Sequence, residues 1–201
     1  EFVFDALLHA TGRKANTEGL GLENTDIQVR PNGSIVTDDT LMTAVQKIFA
    51  VGDVNGGQQF TYVSLDDFRI VNRVLHGDES YKLGNRAHVP YSTFITPALS
   101  HVGLHEEEAK AQYPSAVTVA LPVNNMPRHA VNQDPRGVFK LTVNKDTGLI
   151  LGATLFGKNS EELINIIKMA MDNDIKYTYL RDQIFTHPTM AENLNDLAKL
   201  I

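Results

Sequence analysis

Apolar positions along this chain follow two successive patterns. Val3 to Ala10 is mostly apolar and stops at Thr11 and Gly12, as a buried strand entering a tight turn would. After a polar stretch with Gly19 and Gly21, Ile27 and Val29 alternate with polar neighbours. Pro31, Asn32 and Gly33 supply turn chemistry and Ile35 resumes the apolar pattern, which predicts a hairpin with one wet face. Ile48 to Val51 is a short apolar run ended by Gly52 and Asp53. A loop with paired glycines follows, then Leu65, Phe68, Val71, Val74 and Leu75 at helical spacing, with Gly77 where a helix C-cap belongs. The local order is strand, acidic turn, glycine loop, helix.

Asp78 to His88 is polar, contains Gly84 and reads as a domain boundary, giving segments 1–80 and 88–201. Beyond it, Tyr91 to Ile95, Ala116 to Val123, Val138 to Asn144 and Leu149 to Phe156 predict four strands. The last two are joined by a turn at Lys145 to Gly148. Glu106 to Gln112 suggests a short helix between the first two strands. Asn159 and Glu162 have capping-box spacing ahead of Leu163, Ile166, Ile167, Ala170 and Met171, an apolar stripe of period 3.6. Short helices near Tyr179 to Gln183 and over Met190 to Leu200 complete the pattern. The fold class expected is α+β, an antiparallel sheet covered by helices, preceded by a partial α/β segment.

Composition narrows the function classes. The 201 residues are 42% hydrophobic and 21% charged, ordinary values for a globular chain and contrary to disorder or a membrane protein. A formal net charge of -6 without a Lys/Arg cluster argues against nucleic acid as a partner. The count of cysteines is 0, which excludes disulfides, thiolate nucleophiles and Cys-ligated zinc, and fits a reducing cytoplasm. Any redox chemistry must therefore borrow its electron carrier. Glu1, Phe2, Val3 and Phe4 show no Met, basic region or cleavage signature, so the chain reads as cut from a longer one rather than led by a signal peptide.

Two places can carry chemistry. Asp53 either caps the turn after its strand or, at the carboxyl end of a strand in an α/β sheet, accepts hydrogen bonds from ligand hydroxyls. A helix beginning near Thr61 would aim its free N–H groups at the same crevice. His187 precedes Pro188, where a histidine is either a loop residue or an acid/base group. Glu192 lies at capping-box spacing from Thr189 and can equally orient the imidazole. The other histidines form no cluster at ligand spacing, and no metal site is expected.

Three ordered strings then carry a resemblance: Ala10-Thr11-Gly12-Arg13, Phe49-Ala50-Val51-Gly52-Asp53-Val54, and His187-Pro188-Thr189 followed by Glu192. The whole chain resembles the C-terminal half of the class I flavin-dependent pyridine nucleotide-disulfide oxidoreductases, and is similar to glutathione reductase, dihydrolipoamide dehydrogenase and mercuric reductase. Gln59 to Asp67 and Leu180 to Thr186 look like the bacterial subgroup associated with resistance to reactive chlorine species and hypothiocyanous acid.

The resemblance implies a flavoprotein oxidoreductase of cell redox homeostasis. Asp53 would bind the ribityl chain of FAD, with Gly52 in the same turn, the N–H groups around Thr61 and Tyr62 toward the flavin O2, and Arg13 near the pyrophosphate. It implies a homodimer through residues 88–201, His187 as acid/base at the partner's thiol pair with Glu192 holding its ring, a His-Pro bond in the cis form, NAD(P)H as co-substrate and a small-molecule oxidant or disulfide as substrate. Family members also carry a Gly-rich FAD loop, a Cys-x4-Cys pair and an NAD(P)H domain, none of which occurs here. On its own the chain is thus expected not to retain FAD. The alternative is a homodimerisation module that catalyses nothing when isolated.

Overall fold

The computed structural model describes residues 2–201, and Glu1 lies outside the described residues. The chain divides into two compact units, the first ending at Arg86 and the second running from Ala87 to Ile201. Among the described residues no helix is long and apolar enough to cross a membrane.

The first unit has one long helix, α1 (Thr61–Leu75). It stops in a left-handed turn at Gly77, φ 80°. The amides of Gly77 and Asp78 donate to the carbonyls of Val74 and Arg73, which satisfies the last turn as the C-cap glycine predicts. The predicted hairpin is reduced to the single bridge between Val29 and Ile35, and the apolar run ending at Val51 to a bridge between Met42 and Phe49. The strand expected over Val3 to Ala10 does not form, and Val3 and Leu8 are 98% and 88% exposed. An extended apolar segment becomes a strand only when a neighbour supplies ladder hydrogen bonds and a face to cover, and no described segment does so here.

The second unit is an antiparallel sheet of order β1-β2-β5-β4-β3, with β1 (Tyr91–Thr93), β2 (Leu99–Gly103), β3 (Ala116–Pro122), β4 (Val138–Asn144) and β5 (Ile150–Phe156). Helices α2 (Glu106–Gln112), α3 (Pro127–Asn132), α4 (Ser160–Asp172), α5 (Tyr177–Asp182) and α6 (Asn193–Ala198) complete it. Register places Leu141 opposite both Val119 and Ala153, and Ala153 opposite Val102, so one face is continuous and apolar. That face lies in one core with Leu163, Ile164 and Ile167 of α4 and Leu194 and Leu197 of α6. Each fully buried Leu or Ile contributes about 1.5–3 kcal/mol. The α+β fold class expected from the sequence is the one observed.

Details differ from expectation, among them the unforeseen α3 and a β1 that ends at Thr93 rather than Ile95. There are five strands rather than four, because β2 buries Ser100 on one face and His101 on the other, and polar residues at buried positions hide its apolar pattern. Burial is compensated locally: Ser100 Oγ donates to Ser160 Oγ at 3.1 Å, and His101 meets Thr154 Oγ1 at 2.8 Å and the Gly103 carbonyl at 2.9 Å. The Asn159–Glu162 capping box is absent, since Asn159 adopts φ 64° and its side chain caps nothing. A capping side chain needs an extended N-cap backbone, and here only the Asn159 carbonyl takes part, accepting from Glu162 and Leu163. The last helix is regular only over Asn193–Ala198 rather than Met190 to Leu200.

Candidate functional site

In the first unit, Gly52–Asn55 forms one turn of 3-10 helix in front of α1. Gly52 has φ 72°, and a Cβ there would meet Ser64 Oγ of α1 at 2.9 Å, so the turn lies against the helix where only glycine fits. Asp53 follows with its side chain 48% exposed and receives Arg13 Nη1 at 3.3 Å, joining two of the sequence-identified residues in an exposed ion pair. Such a pair is weak and readily exchanged for another polar partner. No side chain caps α1, whose N-cap is Phe60. The Phe60 carbonyl accepts from Val63 and Ser64, so Thr61 and Tyr62 keep the unpaired first-turn amides of a helix start. An exposed carboxylate, a glycine turn and an uncapped helix start fit the hydroxylated chain and ring-oxygen end of a flavin nucleotide.

In the second unit, His187 and Glu192 meet: Nδ1 to Oε2 is 2.8 Å, with the ring 73% exposed and the carboxyl side chain 16%. A carboxylate only accepts, so Nδ1 carries a proton, and in the neutral ring the lone pair is on Nε2. The second carboxyl oxygen works at the same time as a cap. Oε1 accepts from the Thr189 amide at 3.4 Å and Thr189 Oγ1 accepts from the Glu192 amide at 3.2 Å. The two readings of Glu192 are therefore compatible, one for each oxygen. The His187–Pro188 peptide is cis, as the resemblance implied.

The profile of the pyridine nucleotide-disulphide oxidoreductase dimerisation domain matches residues 89–198, and that of the pyridine nucleotide-disulphide oxidoreductases matches residues 1–67. The chain belongs to this family. Over all 201 residues this chain is 49% identical to the probable pyridine nucleotide-disulfide oxidoreductase RclA of Escherichia coli, covering 46% of that protein. It is 36% identical to the mercuric reductase of Staphylococcus aureus over 94% of its own length and 35% of the relative's. The solved structure of the HOCl-induced flavoprotein disulfide reductase RclA from Escherichia coli superposes with a TM-score of 0.92 at 48% identity, over 96% of this chain and 44% of that one. The chain thus spans less than half the length of the relatives it matches.

Some supporting residues were not singled out from the sequence. Asp67 of α1 is fully buried and accepts from the Gly52 amide, Asn55 and Arg86. Burial opposes the charge on Arg86, yet its bonds to Asp67 and Asp66 hold the guanidinium above its usual pKa. Around His187, Arg128 donates to the Pro188 carbonyl at 3.1 Å, and Asn193 Nδ2 donates to the Thr189 and Met190 carbonyls. Asn195 Nδ2 ties the Leu180 and Gln183 carbonyls to the last helix. An Asp, Arg or Asn gives no sequence signal of burial, and except for Asn193 these residues find partners at least 12 positions away along the chain.

Proposed function

We propose that this chain is the C-terminal part of an FAD-dependent NAD(P)H oxidoreductase of the disulfide reductase family, homodimeric through residues 88–201. The supporting observation is the His187–Glu192 pair, a carboxylate-anchored imidazole with most of its ring in solvent. Bound FAD would supply the two-electron link between NAD(P)H and a redox disulfide. Asp53 would accept a hydrogen bond from a ribityl hydroxyl, with the amides of Thr61 and Tyr62 available to the ring oxygen and Arg13 to the pyrophosphate. Gly52 keeps the turn close to α1. His187 takes a thiol proton at Nε2 while Glu192 holds Nδ1–H, so the imidazolium that forms is already paired. The dithiol of the partner subunit then reduces a small-molecule oxidant or disulfide.

Rapid mixing of the intact enzyme separates the two half-reactions. His187→Ala should leave flavin reduction by NAD(P)H near the parent rate and slow the thiol half-reaction by roughly 10² to 10⁴. Oxidant turnover unchanged by the substitution would return His187 to the role of a loop residue.

A further inference from the structure

We propose that Asp67, with Arg86 as counter-ion, is a positioning residue for the flavin-binding turn. This rests on the flavin reading above and adds to it what holds the turn in place. Asp67 lies on α1 with none of its surface exposed. Its two oxygens have separate tasks. Oδ2 accepts from the Gly52 amide at 2.7 Å and from Asn55 Nδ2 at 2.9 Å, while Oδ1 accepts from Arg86 Nη2 at 2.5 Å.

The two donors on Oδ2 are the first and last residues of the turn, so they bracket Asp53. Among the described residues the Asp53 side chain is held by an exposed contact with Arg13 alone, and the placement of its carboxylate must come from the backbone behind it. A buried apolar residue at position 67 would spare the helix the desolvation of a charge. What such a residue could not do is grip the turn. Arg86 makes the buried charge tolerable, and its Nε is fixed in turn by Asp66 Oδ2 at 2.7 Å, an atom that also accepts from the Tyr81 hydroxyl at 3.1 Å. Arg86 is the final residue of the first unit, so one carboxylate secures both the Asp53 turn and the chain's exit from that unit.

The test uses the intact enzyme and three variants. Asp67→Asn is nearly isosteric, but its amide can offer oxygen to the turn or to Arg86, not to both. It should weaken FAD binding roughly ten-fold or more, the scale of a lost charge-assisted hydrogen bond, and alter the visible circular dichroism of the residual bound flavin while far-UV spectra stay unchanged. Asn55→Ala keeps the ion pair and removes one arm of the grip, and should weaken binding roughly three-fold. Asp53→Ala tests the reading underneath. If it binds FAD as the parent does, the flavin site is wrong and the positioning role falls with it. If it loses FAD while a folded Asp67→Asn keeps the parent affinity and spectrum, with or without a lower melting temperature, Asp67 is only structural and the inference alone fails. Should Asp67→Asn not fold, an unchanged FAD affinity in Asn55→Ala overturns it.

Discussion

Helices α1 and α4 have the same apolar period and opposite surroundings. In α4, Leu163, Ile164, Ile167, Ala170 and Met171 are buried against the sheet, whereas α1 buries Val63, Asp67 and Ile70 and leaves Leu65, Phe68 and Leu75 in solvent. The stripe specifies a helix in both, but only in the second unit does the chain also contain the surface that the stripe covers. The turns that precede helices differ between the units as well. The start of α1 has no side-chain cap, while the turn before α6 is closed by Thr189 and Glu192. An open start has amides to give a ligand; a closed one gives stability and a fixed loop.

Truncating one residue in each helix tests that contrast with the largest effect. Ile167→Ala removes a fully buried side chain and should cost about 2–5 kcal/mol, read as a lowered urea midpoint. Phe68→Ala, at a position 58% exposed, should stay within about 0.5 kcal/mol. A comparable loss at Phe68 would mean that the apolar face of α1 is covered in solution.

A smaller effect separates the two oxygens of Glu192. Glu192→Ala removes the cap and should cost about 1 kcal/mol of melting stability. Glu192→Gln keeps an oxygen for the Thr189 amide and should retain most of that stability, while losing the charge that faces His187. Equal destabilisation by both variants would show that the charge, not the cap, holds the loop.

Much of the second unit was legible because its signals are local. The Lys145–Gly148 turn lies between two apolar runs, and the Glu-rich start of α2 and the stripe of α4 each sit within one element. His187 and Glu192 were also readable, being five positions apart. What stayed hidden depends on distant partners. Ser100 and His101 read as polar until Ser160 and Thr154 are beside them, and Asp67 finds Arg86 19 positions further on, in a stretch that reads only as a linker. The segment Val3 to Ala10 shows the reverse case, where a clear strand pattern meets no neighbour.

The two units also differ in how they bury a titratable side chain. Asp67 is charge-paired, whereas His101 is held by a hydroxyl and a carbonyl, its ring stacked on His105 at 3.8 Å and tilted toward Tyr91 at 5.5 Å. Burial lowers the His101 pKa below its ordinary value; the Gly103 carbonyl and the charge of Glu108 act the other way, and His105 adds to the lowering. The unfolded chain therefore binds the proton more readily than the folded one. The neutral ring's contribution is fully present above the unfolded pKa of about 6.5 and is lost as pH falls from there through the folded pKa. Carboxylates such as Asp134, held at about 2 by Arg136, titrate well below this range. Between pH 7 and pH 5 the melting temperature of the second unit should accordingly decline, and His101→Gln should flatten that decline even if it lowers stability throughout. A slope unchanged by the substitution would mean that His101 takes up its proton as easily folded as unfolded, and that the strand tolerates a charge where the core begins.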